Sequence, residues 1–264
     1  MQCRSKLLSI RKYLALFILP VIAIPALAQD MPQGLLVNRV NCSLNEGVTM
    51  PQVVQWARSQ PRTGPQPGAE FYREAVVNGN LRQNYDFVIA TYFQSFSHIL
   101  EVNLADLAAP ANRVQPTVRA QDLYTCNPAT QSTIVSRTVN PDNDGFTGDA
   151  TVMHSRFCLL AEGETIEDAW DFATAVNKNY SDAGDSSLMQ LNTRMIGPIP
   201  GENMSRAGRG VSIAVVPSTP QGWAQRMDLP QTGFQPLRGV SSPFENCNYP
   251  AVWITHAVWR APAQ

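Results

Sequence analysis

Three histidines, His98, His154 and His256, are the side chains of this sequence best suited to acid–base or metal chemistry near neutral pH. His154 is followed at alternate positions by Arg156 and Cys158 in a β-rich run, so the three share one face of the predicted strand. That face could point into an enclosed interior, which makes His154 and Arg156 the candidate catalytic residues. A hydrogen-bonded structural histidine is the alternative. His98 lies between apolar residues of a helical pattern, which indicates a packing or surface position.

The last β-rich run of the chain, residues 251–260, carries a second candidate group. Trp253 and Trp259 are predicted on one face of this strand, and His256 is predicted on the other. Aromatic and imidazole side chains could line a ligand cavity, so Trp253 and His256 are candidate ligand-binding residues. Packing in the core is the alternative and the commoner use of such aromatic residues.

Sequence motifs that would specify a reaction are missing. The sequence contains no G-x-S-x-G elbow, P-loop or G-x-G-x-x-G fingerprint, and no cysteine pair has C-x-x-C spacing. Residues 140–145 resemble the start of a calcium loop, but Thr151 occupies the twelfth position, where an acidic ligand is required. Glu46 and Glu162 each lie beside a predicted turn and helix start, where the helix dipole favours a carboxylate without any catalytic role. We therefore expect no metal site and no cofactor.

Two stretches of the chain, residues 42–49 and 158–165, share the pattern C-x-L-x-E-G-x-T. In each, an apolar run leads into the cysteine and a helical pattern follows the threonine, which is typical of a strand, a tight turn and a helix N-cap. Apart from Cys3, which lies in the N-terminal segment considered below, the remaining cysteines are Cys126 and Cys247, and each precedes Asn and a β-rich run. The chain is therefore predicted to hold two diverged copies of one unit. Four cysteines allow three disulfide connectivities, and the repeat favours Cys42–Cys126 with Cys158–Cys247.

Residues 1–28 are typical of a cleaved secretory signal peptide. Basic residues precede an apolar run, 14–24, and Ala26-Leu27-Ala28 offers a small-x-small cleavage site. The apolar run is shorter than the roughly 20 residues that span a bilayer. We expect a soluble, periplasmic or secreted protein without an integral membrane segment in its mature chain, and an uncleaved anchor is the alternative. An oxidising compartment also suits the predicted disulfides.

The charge balance argues against nucleic acid as a partner. The chain has 20 Lys and Arg against 21 Asp and Glu, and four of the cations lie in the leader, at positions 4, 6, 11 and 12. The mature chain is therefore acidic, whereas a nucleic-acid-binding protein needs a basic patch or stripe.

Hydrophobic periodicity predicts the same order of elements, β-α-β-β-α-β, in both copies. The first unit covers residues 37–139, residues 140–150 form a linker, and the second unit covers residues 151–260. The predicted strands are 37–44, 70–77, 85–93, 130–139, 151–160, 188–199, 211–216 and 251–260, and the predicted helices follow Thr49 and Thr165 and cover 96–109 and 220–229.

This order is the split β-α-β arrangement of the ferredoxin-like fold, in which the first and fourth strands are antiparallel neighbours. The favoured disulfides would each join the end of strand one to the start of strand four, so repeat and topology agree. On that pairing His154 lies near Ala251. His256 is then about five residues further along, roughly 16 Å by strand rise, so no shared metal is expected.

Two consecutive ferredoxin-like units resemble the fused form of a dimeric α/β barrel. This α+β superfamily includes cofactor-independent monooxygenases, haem-degrading enzymes, chlorite-dismutase-like proteins and small stress-response barrels. The resemblance implies two facing sheets around a cavity, with helices outside, and it implies no particular activity. The exported, disulfide-bonded form is also similar to secreted bacterial proteins that have no assigned chemistry.

Two functions follow as hypotheses. The first is a non-enzymatic module that binds a small apolar ligand or a protein partner. The alternative is a cofactor-independent oxygenase- or isomerase-type enzyme that uses His154 and Arg156 in a barrel cavity. Haem binding is a third possibility, which absence of Soret absorbance after haem addition would exclude. The polarity of the enclosed cavity is the feature that distinguishes binding from catalysis.

Overall fold

A computed structural model describes residues 31–77, 85–107, 118–141, 145–197 and 208–262. The predicted signal peptide, residues 1–28, and part of the calcium-like loop, residues 142–144, lie outside the described residues. The strands are β1 (Leu35–Leu44), β2 (Ala69–Val77), β3 (Phe87–Phe93), β4 (Tyr124–Thr138), β5 (Ala150–Leu160), β6 (Leu188–Ile196), β7 (Gly210–Val216), β8 (Phe244–Cys247) and β9 (Ala251–Arg260). The α-helices are α1 (Met50–Ser59), α2 (Phe96–Leu107), α3 (Ala120–Leu123), α4 (Ile166–Asp182) and α5 (Pro220–Asp228), and Leu229–Thr232 is a 3-10 turn.

Eight of the nine strands close into an antiparallel barrel. The order of hydrogen-bonded neighbours is β7-β6-β4-β1-β3-β2-β9-β5, and β7 also pairs with β5, which closes the ring. The short strand β8 pairs with the C-terminal end of β5. Within the ring the first half of the chain contributes the order β4-β1-β3-β2 and the second half contributes β9-β5-β7-β6. The fold class is therefore α+β, with a closed eight-stranded antiparallel barrel.

Side chains alternate along each strand between the barrel interior and an outer layer against the helices. On β1, Arg39 and Asn41 line the interior, whereas Cys42 packs in the outer layer. The helix α1 buries Val53 and Ala57 in that layer. In the second half, α4 packs Ala169 and Trp170 against the sheet in the same way. Other residues of these outer clusters are Met50, Val54, Tyr72, Phe87, Leu160, Leu191 and Val211.

The repeated turn forms as the sequence predicts in both copies. Gly47 has φ +77° and Gly163 has φ +87°, the left-handed region that glycine enters without a Cβ clash. A capping box then starts each helix: Thr49 with Gln52 at α1, and Thr165 with Asp168 at α4. The shared C-x-L-x-E-G-x-T pattern therefore encodes strand end, turn and helix start.

Both predicted disulfides, Cys42–Cys126 and Cys158–Cys247, are present in the structure. Each joins directly paired residues of neighbouring antiparallel strands, β1 with β4 and β5 with β8. The largest differences from the predicted strands are an earlier start of β4 and the additional strand β8. The strand β4 begins at Tyr124 instead of residue 130, because Asn127 and its neighbours stay paired with β1 across a register shift. In the second half the break at residues 248–250 separates β8 from β9.

The predicted apolar face of α2 is only partly buried. Ile99 packs against Leu36 and Phe93 of the sheet, but Leu100 and Leu104 are exposed. The helical spacing was therefore correct, whereas the side that contacts the sheet is narrower than the pattern indicates. No helix among the described residues combines the length and the apolar character needed to span a bilayer.

The prediction that Trp253 and Trp259 share one face of β9 is wrong. Trp253 lines the interior, but Val258 is skipped in the pairing with β2, so that Glu70 pairs with Trp259 and Phe71 with Ala257. This bulge shifts the alternation by one residue. Trp259 consequently lies over the outer layer, where its Nε1 donates to the Pro67 carbonyl.

Candidate functional site

The barrel interior encloses a cavity of about 250 Å³. Every strand of the ring contributes to its wall, because the inward positions of all eight strands converge on the barrel axis. Its lining residues are Arg39, Asn41, Arg73, Tyr85, Val88, Thr130, Ser132, Ile134, Met153, Ser155, Phe157, Asn192, Arg194, Ser212, Ala214, Asn248, Ala251 and Trp253. Phe157 marks the open end, since its side chain lines the cavity and is still 37% exposed.

Three arginines on three different strands line this cavity: Arg39 on β1, Arg73 on β2 and Arg194 on β6. None of the lining residues in the described chain is acidic. The Nη2 of Arg73 donates to the Tyr92 hydroxyl at 2.5 Å, and the Nη1 of Arg194 donates to the Gly197 carbonyl at 3.4 Å. The Nε atoms of Arg39 and Arg73 are buried and have no hydrogen-bond partner. The interior is therefore cationic, and part of its hydrogen-bonding capacity is unused.

The pKa of Arg39 shows the electrostatic effect of placing the arginines together. Burial, followed by repulsion from Arg73 and, more weakly, from Arg194, lowers the pKa of Arg39 from 12.5 to about 10. The guanidinium still carries its proton at neutral pH, so the half-buried Arg39 side chain remains a cation, and its Nε is buried. Such a charge is stabilised where an opposite charge or strong acceptors offset the lost hydration.

The wall formed by β9, β5 and β7 is different in character. It presents Met153, Phe157, Ala214, Ala251 and Trp253 to the cavity, and its polar lining residues are the uncharged Ser155 and Ser212. The Trp253 ring is 6% exposed, and its Nε1 donates to the Ser155 hydroxyl at 3.0 Å, which fixes the orientation of the indole. The cavity thus has a cationic side and an apolar, aromatic side.

A smaller interior cavity of about 120 Å³ adjoins the first. Arg73 and Met153 line both, so these two side chains form the partition between them. The smaller cavity also contacts Thr255, whose buried Oγ1 has no hydrogen-bond partner, and it is lined by Phe71 and Phe146 as well. The smaller cavity therefore also contains a buried polar atom without a hydrogen-bond partner, as the main cavity does.

The structure corrects the expectation that His154 points into the barrel. Its neighbours Met153 and Ser155 line the cavity, so His154 lies on the outer face, where its Nδ1 accepts a hydrogen bond from Trp223 Nε1 of α5 at 3.2 Å. The alternation of β5 was predicted correctly, but the inward face is the other one. His154 instead belongs to the packing of α5 on the sheet.

His154 makes stability depend on pH. Burial, with repulsion from Arg226 and Arg156 that Asp185 only partly offsets, lowers the pKa of His154 from 6.5 to about 4. The unfolded chain therefore binds a proton at a higher pH than the folded one. The stability that the neutral imidazole contributes is complete above about pH 6.5, where no proton is taken up on unfolding.

We expect the free energy of unfolding to fall as the pH drops from 6.5 toward 4, by as much as about 3 kcal/mol from this group. Urea denaturation of the wild type and of His154→Gln across pH 4–7.5 measures the difference, in which the other titrating groups cancel. Parallel pH profiles for the two proteins would contradict the assignment.

The other sequence candidates also lie on the outer side of the barrel. Arg156 is exposed on the outer face of β5. His256 follows the inward Thr255, so it faces outward, and its Nε2 is 3.2 Å from Glu74 Oε2. Of the predicted residues, only Trp253 lines the cavity.

The outer layer also explains the remaining histidine. His98 packs edge-on against Phe93, with its Nε2 2.8 Å from the Gln66 carbonyl, which agrees with the predicted packing position. Among the described residues, no three His, Cys, Asp or Glu side chains come together in a way that could hold a metal ion.

Sequence reasoning missed the three cavity arginines. The available signal was their period-two placement: Arg39 alternates with Val40 and Asn38, and Arg73 alternates with Tyr72. A charged residue in the middle of an otherwise half-buried strand indicates a polar interior when the helices cover the opposite face. This signal can be interpreted only when it is known which face of each strand the helices cover.

Comparisons with known proteins give no family. No protein-family model matches the sequence, and a search of curated proteins gave no match. Solved structures similar to this one include an anthrone oxidase-like protein, which is 10% identical, with 89% of this chain and 98% of that chain covered and a TM-score of 0.42. A mutant chlorite dismutase from Candidatus Nitrospira defluvii is 8% identical, with 86% and 93% covered and a TM-score of 0.43.

A dye-decolorizing peroxidase from Bacteroides thetaiotaomicron VPI-5482 is also similar in structure. It is 8% identical, with 87% of this chain and 96% of that chain covered and a TM-score of 0.38. At such low identities and TM-scores, none of these activities transfers to the present chain.

Proposed function

We propose that this chain is an exported protein that binds a small anionic molecule inside its barrel. The observation that carries the proposal is the cationic cavity: three arginines line it, none of its described lining residues is acidic, and the Nε atoms of Arg39 and Arg73 are buried without partners.

The Nε donors of Arg39 and Arg73 are costly to the unliganded protein, because they are buried without acceptors. A buried hydrogen-bond donor without a partner costs about 1–3 kcal/mol, and more when the group is charged. Such a cost is tolerated where function requires it, and an incoming carboxylate or phosphate would supply both the missing acceptors and the opposite charge. The arginine fork matches the planar carboxylate well.

This proposal changes the ligand expected from the sequence. A purely apolar ligand would leave the arginines desolvated and unpaired, so an anion suits the cavity better. A protein partner has less support, because the unused donors lie inside the barrel. The site is smaller than the roughly 300–1,000 Å³ typical of pockets for drug-sized ligands, which favours a small molecule.

The alternative, an oxygenase- or isomerase-type enzyme that uses His154 and Arg156, has weaker support. Both residues lie on the outer face of β5, away from the cavity. Among the described residues that line the cavity there is no His, Asp, Glu, Cys or Lys, so of the usual proton-transfer groups they include Tyr85 alone. Binding therefore accounts for the site better than catalysis.

Arg39→Gln tests the proposal, because two effects of opposite sign are expected. The variant should be more stable than the wild type without ligand, by about 1–3 kcal/mol, because a cationic side chain with a buried, unpaired donor is removed. It should also lose the stabilisation that acetate and phosphate give the wild type at constant ionic strength. Chemical denaturation with and without these anions measures both.

Arg156→Gln is the matched control, because it removes the same charge from the outer face of the same barrel. It should keep the wild-type response to anions. Equal stabilisation of Arg39→Gln and wild type by the anions, or no stabilisation of the wild type by either anion, would contradict the proposal.

The architecture and export are part of the same proposal. Residues 37–139 and 151–260 are interpreted as two ferredoxin-like units of common origin, joined by a linker at 140–150. The equivalent strand orders of the two halves and the equivalent disulfides support this interpretation. Removal of residues 1–28 on export would leave a chain that starts at Gln29. Intact-mass measurement of protein recovered from a secreting host checks that start.

A further inference from the structure

We infer that the anion is aromatic: a single-ring carboxylate or phenolate whose ring packs on Trp253 and whose charge meets Arg39. This inference deepens the proposed anion binding and rests on it. It comes from how the two kinds of wall are placed around the barrel.

The ring of eight strands places Arg39 opposite the centre of the apolar wall. Counted around the barrel in either direction, β1 and β5 are four strands apart. Arg39 on β1 therefore lies across the cavity from Met153 and Phe157 on β5. Arg73 and Arg194 flank Arg39 two strands away on either side, on β2 and β6. A ligand that satisfies both walls must have a charged end and an apolar body.

The apolar wall suits a flat ring better than a flexible chain. Trp253 is held by its hydrogen bond to Ser155, so it offers a ring surface of fixed orientation. Aromatic rings gain from edge-to-face or offset stacking beyond the area they bury, and the Met153 thioether adds a favourable sulfur–aromatic contact. A ring also loses less conformational freedom on binding than an alkyl chain does.

The dimensions of the cavity limit the ligand to one ring. The main cavity has a volume of about 250 Å³ and opens at Phe157. The space beyond Arg73 and Met153 measures only about 120 Å³ and is lined by Phe71 and Phe146. A single ring with one charged group fits in the main cavity without displacing Arg73 and Met153.

Benzoate, acetate and benzamide are the probes, titrated calorimetrically into the mature protein with both disulfides intact. Benzoate should bind at least about tenfold more tightly than acetate, because burial of the ring and its aromatic contacts add to the ionic contact. Benzamide has the same shape without the charge and should bind at least about tenfold more weakly than benzoate.

Two variants separate the contributions of the walls. Trp253→Leu should reduce the benzoate affinity toward that of acetate and leave the acetate affinity unchanged. Phe157→Leu is the second variant, because this side chain is partly exposed and its replacement leaves the buried layers intact. It should weaken benzoate by a smaller factor than Trp253→Leu does.

The binding results distinguish failure of the aromatic inference from failure of the proposed anion binding. Equal affinities for acetate and benzoate, both lost in Arg39→Gln, would overturn the aromatic inference and leave the anion site. Equal affinities for benzamide and benzoate would overturn the requirement for charge and with it the proposed function. If none of the three probes binds, both proposals fail.

Discussion

Removal of either disulfide is expected to lower the free energy of unfolding by about 4–5 kcal/mol. The two bridges close loops of 84 and 89 residues, and the chain-entropy model assigns loops of this length nearly the same stabilisation. The figure is an upper estimate, because residual structure in the unfolded chain reduces it.

The two closed loops do not overlap in sequence, so their contributions should be nearly additive. Net stabilities of domains lie at about 5–15 kcal/mol, so loss of both bridges should leave the barrel marginal or unfolded. The variants are Cys42→Ala with Cys126→Ala, Cys158→Ala with Cys247→Ala, and all four together. Urea denaturation under non-reducing conditions measures each.

The wild type in reducing buffer is the control, because it should reproduce the fourfold variant. Each paired variant should lose a similar amount, since both bridges occupy equivalent places next to the end of the first strand of each half. An unchanged urea midpoint after complete reduction would contradict this prediction, and a large difference between the two paired variants would contradict the equivalence.

Asp185→Asn is expected to destabilise the protein by about 3–5 kcal/mol. The Asp185 carboxylate forms an ion pair with Arg226 of α5, and the two side chains are only 6% and 3% exposed. The Arg226 guanidinium also lies 3.4 Å from the centre of the Tyr180 ring. Loss of the carboxylate charge leaves a buried cation with only the aromatic ring and a neutral amide for partners, and that is the costly state.

An exposed ion pair of the same kind serves as the control. Lys178 and Asp182 lie four residues apart on α4, with side chains 71% and 63% exposed. Asp182→Asn makes the same chemical change and should cost no more than about 0.5 kcal/mol, because water screens the pair.

A double variant tests the mechanism. Arg226→Met combined with Asp185→Asn removes the buried cation together with its partner charge, so it should be more stable than Asp185→Asn alone. Urea denaturation at pH 7 compares the three proteins. Equal costs for Asp185→Asn and Asp182→Asn would show that the buried pair contributes no more than a surface one.

The disulfides could be predicted from the sequence, whereas the Asp185–Arg226 ion pair could not. The disulfides followed from a repeat and from the adjacency of strands, both visible in the order of residues. The Asp185–Arg226 pair joins the end of α4 to α5. No spacing rule connects these residues, because the contact depends on how α5 packs on the sheet.

The candidate site divides in the same way. Trp253 was a candidate because aromatic side chains can line a ligand cavity, with core packing as the alternative, and its side chain does line the cavity. His154 was a candidate for the interior, with a hydrogen-bonded structural histidine as the alternative, and it faces α5. Both faces of β5 carry residues that could be buried, so alternation identifies two faces without saying which one turns inward.

The sequence by itself determined the order of strands and helices, the helix caps, the turn at Gly47 and Gly163, and the pairing of the four cysteines. All of these depend on local spacing or on adjacency within one half of the chain. Only the tertiary structure decided that β2 meets β9 and β4 meets β6, the two pairings that join the halves into a closed barrel. Closure assigns an inside to every strand, and it brings Arg39, Arg73 and Arg194 together from strands far apart in sequence. Convergence of that kind has no local signal, because each arginine alone is an ordinary polar residue in an alternating strand.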